Sequence, residues 1–219
     1  MAANNLEKCR KIVGAGVNYW NFVQQTGGKA PVQPVIFLKP TSSLVTATND
    51  LAKDVVLIPK IFQNINFEAE LGIVIGKSGK NIPKEKAFDH ISGYCLSLDM
   101  TGMEFITKAR ENCLPWALGK AFDTATPVSA VLPKDAFNPN DVKVWSKING
   151  VTKQEESTKG MIFSIPELVE FISSYMSLEE NDLILTGTPA GAGKVEENDV
   201  IECGLGDVVS MKFVVKREN

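Results

Sequence analysis

Apolar residues along the chain fall mostly in short β-branched runs punctuated by glycine or proline, the pattern of strands rather than helices. The runs are Ile12–Val17, Val35–Leu38, Val55–Ile58, Glu68–Ile75, Tyr94–Asp99, Val142–Ile148, Leu183–Thr186, Val200–Cys203 and Val208–Val215. In the last of them Val209, Met211, Phe213 and Val215 alternate with Ser210, Lys212 and Val214, the two-residue period of a half-buried strand. Asn149-Gly150, between Val144–Ile148 and Val151, predicts a two-residue hairpin turn. Helical spacing occurs twice. Ser164-Ile-Pro-Glu167 is a capping-box signature with proline in the first turn, and Ile165, Leu168, Val169, Ile172 and Met176 follow on one face. A second helix is predicted from about Thr101 to Asn112, with Met103, Ile106 and Ala109 along one side. The helices do not alternate with the strands, which predicts a mixed, β-rich α+β fold rather than a doubly wound sheet.

Composition narrows the classes of function. The 219 residues are 44% apolar, with 23 basic against 26 acidic side chains, as in an ordinary globular chain. A chain of this length buries roughly 70% of its unfolded surface and needs no metal or disulfide merely to fold. A net charge of -3 without a basic stripe argues against nucleic acid as a partner. No apolar run approaches the roughly 20 residues of a membrane span. The polar stretches Pro133–Asp141 and Thr152–Lys159 read as loops inside one domain spanning 11–219, preceded by an arm over 1–10 that lacks the apolar core of a secretory signal. Cys9, Cys95, Cys113 and Cys203 form no C-x-x-C pair, and each reads as a buried structural thiol. That usage suits a reducing, intracellular compartment, mitochondrial or cytoplasmic, with no clear targeting peptide. The single histidine, His90, argues against His-based zinc sites and a Ser-His-Asp triad, and reads as a partly buried or surface residue.

Two glycine–lysine pairs fall short of a phosphate-binding loop. Gly76-Lys77-Ser78 lacks the leading glycine, whose place is taken by Leu71. Gly193-Lys194 is followed by Val195, and Thr188 stands where the first glycine is needed. Both read as turns.

One apolar strand opens with acids. Glu68-Ala-Glu70 precedes Leu-Gly-Ile-Val-Ile75, and side chains two apart on a strand share a face. Asp99 closes a second apolar run, Tyr94-Cys-Leu-Ser-Leu-Asp99. Three carboxylates without histidine or cysteine suit Mg²⁺, Mn²⁺ or Ca²⁺. The alternative reading is a solvated face for Glu68 and Glu70, with Asp99 capping the following helix.

The motifs Glu68-x-Glu70-Leu-Gly-Ile-Val-Ile-Gly76, Gly93-Tyr94, Leu98-Asp99-Met100-Thr101, Leu114-Pro115-Trp116-x-x-x-Lys120, Met161-Ile-Phe-Ser-Ile-Pro166 and Leu185-Thr-Gly-Thr-Pro189-x-Gly191 run in order from Lys11 to Val215. Together they resemble the fumarylacetoacetate hydrolase family, most closely its small single-domain branch of acylpyruvases and oxaloacetate decarboxylases, with oxaloacetate tautomerases nearby. The resemblance implies a β-roll with a few peripheral helices, a homodimer, and one Mg²⁺ (or Mn²⁺) per subunit with no organic cofactor. It implies Glu68, Glu70 and Asp99 as metal ligands, Lys120 as a catalytic group beside the substrate oxygens, and Thr188 as a contact to the substrate carboxylate. Taken alone, Lys120 also reads as a surface lysine and Thr188 as a turn residue.

The departures fall on the substrate side. Family hydrolases carry a His and, three residues on, a Glu in an N-terminal lid; here Phe22 and Gln25 stand at those places. Val17 replaces an Arg, and Met103 and Ile106 replace an Arg and a Gln that face the substrate. The expected function is therefore Mg-dependent chemistry on small 2-oxo acids, oxaloacetate or acylpyruvates, through a stabilised enolate. Decarboxylation or tautomerisation is favoured over C–C hydrolysis, which needs a base to activate water. A non-catalytic metal or oxo-acid binding homologue is the alternative, and an interaction protein with vestigial carboxylates the third.

Overall fold

Ala69–Ile75 is buried at every position, so it reads as an almost continuous apolar run and takes a central place in the main sheet. The computed structural model describes residues 5–218. Four residues of the expected N-terminal arm and the last residue of the expected 11–219 domain lie outside the described residues. The main sheet runs Val35–Lys39, Ile12–Gly16, Leu183–Leu185, Ala69–Ile75, Ile91–Leu98, Thr126–Val128 and Leu44–Thr46, with Leu132–Pro133 paired to Ile91–Leu98. A second sheet orders Val151–Ser157, Lys143–Ile148, Val200–Leu205, Val209–Arg217 and Val55–Ile58. A third, of Gly193–Val195, Ile65–Phe67 and Thr101–Gly102, flanks the acidic end of Ala69–Ile75. Antiparallel pairs dominate, and the core fills the space between the sheets with Leu71, Ile73, Leu96, Ile201, Phe213 and their neighbours. The fold is mixed α+β, rich in strands and poor in helices.

The alternation at the C-terminus is realised over Val209–Arg217, where Met211, Phe213 and Val215 are buried and Ser210, Lys212 and Lys216 exposed. Ile148 and Val151 pair across the Asn149-Gly150 turn, both of whose residues take left-handed φ. The capping box forms: the Ser164 hydroxyl and backbone N–H both donate to Glu167, and the helix Ile165–Tyr175 lays Leu168, Val169 and Ile172 on the core. The second helix is Met103–Glu111, within the expected span.

Three expectations are corrected. Thr152–Lys159 is no loop: Val151–Ser157 is an edge strand whose mostly exposed side chains conceal the apolar period. Gly193-Lys194 is no turn, because Gly193–Val195 pairs with Ile65–Phe67. Cys113 is exposed at a left-handed position, whereas Cys9, Cys95 and Cys203 are buried, and burial drives the Cys95 thiol up to about 12. His90 is half-buried with Nδ1 2.8 Å from the Lys77 carbonyl. Among the described residues no helix is long and apolar enough to cross a membrane.

Candidate active site

The strand pair Ala69–Ile75 and Ile91–Leu98 positions all three acids. Ala69 faces Leu98, and one step beyond, the Asp99 N–H donates to the Glu68 carbonyl at 2.8 Å. Glu68 and Asp99 thus stand side by side where the ladder ends, with Glu70 two residues inside it. Asp99 therefore does not cap the following helix, which starts from Gly102. One carboxylate oxygen from each of Glu68, Glu70 and Asp99 lies within 4.8 Å of the other two. This all-oxygen set fits a hard divalent cation.

The cluster has two internal counter-ions. Lys120, at the end of the short helix Ala117–Lys120, reaches Asp99 Oδ2 at 2.5 Å, Glu68 Oε2 at 3.0 Å and the Thr101 hydroxyl at 2.6 Å. Lys39, the last residue of Val35–Lys39, donates to Asp99 Oδ1 at 2.5 Å and to the Ala125 carbonyl at 2.9 Å. Both lysines and Asp99 are almost fully buried, so low polarity strengthens these ion pairs while charging a heavy desolvation cost for each ion. Lys120 is not the surface lysine that its sequence alone allows.

These surroundings set the protonation directions. Burial raises the Glu70 carboxyl well above the usual range, and the charges of Asp99 and Glu68 push it further; the Gly187 N–H, donating at 2.6 Å, acts the other way. Gly187 has φ of 97°, which a side chain rarely adopts, and a Cβ there would press on Asn18. Burial also raises Glu68, against the pull of Lys120. Asp99 ends below its usual range, because Lys120 and Lys39 outweigh its burial. Lys120 is held above the ordinary lysine range, the attraction of Asp99 and Glu68 exceeding desolvation. Those carboxylates favour its ammonium form.

The cavity over this cluster, about 80 Å³, is lined by Glu68, Glu70, Asp99, Lys120 and Thr188. Val17, Phe22, Met103 and Ile106 line it as well, so the residues at the departures all reach the site except Gln25. The Thr188 hydroxyl is engaged on both sides, donating to the Ala69 carbonyl at 2.8 Å and accepting from Gln154 Nε2 at 2.7 Å. Gln25 lies outside the cavity and instead accepts from the Gly191 N–H at 2.8 Å, while Asn21 accepts from Ala190 at 3.0 Å. These bonds tie the helix Trp20–Thr26 to the turn that follows Thr188. The chain enters this helix through Val17, a β-branched residue at φ 56°, and buried Asn18, which bonds Phe163 and Thr186. A non-glycine residue in that region stores of order 1–3 kcal/mol, held here by the Asn18 bonds.

Lys39, Gln154, Gly187 and Arg110 were not anticipated. Lys39 had a signal: like Asp99, it is a charge ending an apolar run. Gln154 lay hidden in the polar stretch read as a loop, although it joins Ala69, Ser146, Thr188 and Pro189.

A family model described as fumarylacetoacetate (FAA) hydrolase, C-terminal, matches residues 11–216. A mitochondrial oxaloacetate tautomerase of Mus musculus is 42% identical over 209 residues, covering 95% of this chain and 92% of that protein. A mitochondrial oxaloacetate decarboxylase of Dictyostelium discoideum is 44% identical over 218 residues, covering 97% and 98%. The crystal structure of fumarylpyruvate hydrolase from Pseudomonas aeruginosa in complex with Mn²⁺ and pyruvate has a TM-score of 0.89 at 29% identity, covering 96% of this chain and 91% of that one.

Proposed function

We propose, since the chain belongs to the fumarylacetoacetate hydrolase family of enzymes, that it converts small 2-oxo acids such as oxaloacetate by enol–keto tautomerisation or decarboxylation. The observation that carries this reading is the convergence of Glu68, Glu70, Asp99 and Lys120 on one cavity. Glu68, Glu70 and Asp99 would hold Mg²⁺ or Mn²⁺, which supplies Lewis acidity toward the oxygens of a 2-oxo acid. Lys120 keeps its charge and stabilises the negative charge that develops as the enolate forms. Thr188 borders the place of the substrate carboxylate, positioned by Gln154 and Ala69. Water takes up the C3 proton.

Hydrolysis of a C–C bond is disfavoured on residue grounds. Phe22 offers no proton acceptor to a water in the cavity, and the Gln25 amide is neither basic nor directed into it. Losing general-base assistance costs about 10²–10⁴-fold. The test is incubation with oxaloacetate, acetylpyruvate and fumarylpyruvate, with Mg²⁺ and with chelator, following enol absorbance and pyruvate release separately. Mg²⁺-dependent loss of oxaloacetate enol with slow acylpyruvate cleavage is expected. Efficient cleavage would overturn the preference, and Mg²⁺-dependent binding without turnover would favour a non-catalytic homologue.

We further propose a homodimer. Trp145 is half-buried with its indole N–H bonded to the Gly206 carbonyl at 2.9 Å, and does not support this. The support is a groove of Ile36, Leu38, Trp116, Phe171 and Tyr175, in which Leu38 and Tyr175 are exposed. Light scattering at micromolar concentration should give the mass of two chains; that of one would refute the dimer. Both relatives named mitochondrial favour that organelle over the cytoplasm.

A further inference from the structure

The cavity lining holds polar residues joined to the carboxylate cluster: Thr101 accepts from Lys120, Asn66 stands opposite Thr101 in the strand register, and Thr188 bonds Ala69. Val17, Phe22, Phe37, Met103, Ile106 and Trp116 supply its apolar wall, and Phe37 lies 4.6 Å from the Lys120 ammonium. Met103 and Ile106 lie one turn apart on the helix after Asp99, so both present apolar groups to the same space.

One cation borders that wall. Arg110 continues the same helix face, but it is exposed and its guanidinium lies 5.1 Å from the Trp116 ring centre, at the solvent rim. Solvent weakens the attraction such a charge exerts.

Charge count points the same way. Counted with Glu70 ionised, the form in which it would hold a cation, three carboxylates against two ammonium groups give the cluster one negative charge. A divalent cation makes it one positive, which a single carboxylate neutralises. A second carboxylate on the substrate would lie against the apolar wall without a buried partner, an arrangement that costs far more than burying an alkyl group there.

We infer that this chain, while it accepts oxaloacetate, binds 2-oxo monocarboxylic acids with an apolar substituent beyond C3 more tightly than dicarboxylic 2-oxo acids. The inference rests on the 2-oxo acid reading of the site and names the part of the substrate that the apolar wall reads. Tautomerisation of such an acid moves one proton from C3 to the keto oxygen and back, with no oxidant or co-reactant.

The test compares ligands matched in shape. 4-Methyl-2-oxopentanoate carries an isopropyl group where oxaloacetate carries its second carboxylate, 2-oxoglutarate is a stable dicarboxylate, and oxalate carries the chelating oxygens alone. Melting temperature is titrated with each in the presence of Mg²⁺, and C3 proton exchange of the two reactive acids is followed in D₂O. The branched monoacid should bind at least about tenfold more tightly than either dicarboxylate, as the mismatch of one polar group implies. Met103→Arg should reverse that order, and Met103→Leu should keep it. Equal binding of the two classes would overturn the inference and leave the 2-oxo acid function standing. So would tighter dicarboxylate binding that Arg110→Met abolishes, which would make Arg110 the reader of the second carboxylate. Failure of oxalate as well would overturn the 2-oxo acid reading itself, and the inference with it.

Discussion

Glu70→Gln is expected to abolish the stabilisation of the protein by Mg²⁺. In the wild type, Mg²⁺ at a hundred times its dissociation constant should add about 2.7 kcal/mol, which for a chain of this size raises Tm by about 5–11 °C. The amide keeps the shape and the bond from Gly187 but carries no charge to offer the cation. The same side chain predicts the pH dependence. Burial and two neighbouring carboxylates raise the Glu70 carboxyl in the folded, metal-free protein, so folding favours its protonated form. Its stabilising contribution is therefore present at low pH and is lost as pH climbs from the ordinary carboxylate range through the raised value. Mg²⁺ competes with that proton, so the gain in Tm on adding Mg²⁺ should grow across the same window in the wild type and stay flat in Glu70→Gln. A mutant whose Mg²⁺ titration matches the wild type would remove Glu70 from the ligand set.

Lys120→Met should lower turnover of a 2-oxo acid by about 10²–10³-fold, the effect of removing one preorganised donor to developing negative charge. Asp99 and Glu68 lose a direct ion-pair partner in that variant, while Lys39 still holds Asp99 Oδ1. Removing a positive charge beside the carboxylates should leave Mg²⁺ binding intact or tighter, so the loss appears in kcat and not in the metal titration. Turnover at the wild-type rate would reduce Lys120 to an ion-pair partner of the cluster. Lys120→Arg keeps the charge but not its compact shape and should recover only part of the activity.

The elements legible in the sequence are those whose burial is one-sided or complete. Val209–Arg217 shows its two-residue period because one face meets the core, and Ile165–Tyr175 shows both its cap and its apolar stripe. The acids were legible for the converse reason: carboxylates at the ends of otherwise apolar strands have no place in a core unless they are partnered. Less legible were elements whose period is weak. The helix Trp20–Thr26 has seven residues and buries only Val23, and Val151–Ser157 is an edge strand largely open to solvent. The partners of the acids were hidden by chain distance, Lys39 lying 60 positions from Asp99 and Gln154 lying 34 from Thr188. Resemblance placed Lys120 at the site, but only the packing shows that both oxygens of Asp99 are held by buried ammonium groups.

The helix Trp20–Thr26 bears on the direction of the proposed chemistry. Asn21 and Gln25 fasten it to Ala190 and Gly191, and Phe22 lines the cavity with an apolar ring. The low polarity around Lys120 strengthens its field on an enolate, while neither Phe22 nor Gln25 can activate a water for hydrolysis. Under the proposed function, a site organised this way would stabilise charge on a bound 2-oxo acid and move a proton.

That claim is tested most directly by following exchange of the C3 protons of a 2-oxo acid with solvent deuterium by NMR, because exchange reports enolate formation whatever the later fate of the molecule. The wild type with Mg²⁺ should exchange them well above the rate in buffer containing Mg²⁺ alone, and both chelator and Lys120→Met should suppress the excess. Exchange no faster than in that buffer would contradict an enolate-stabilising site.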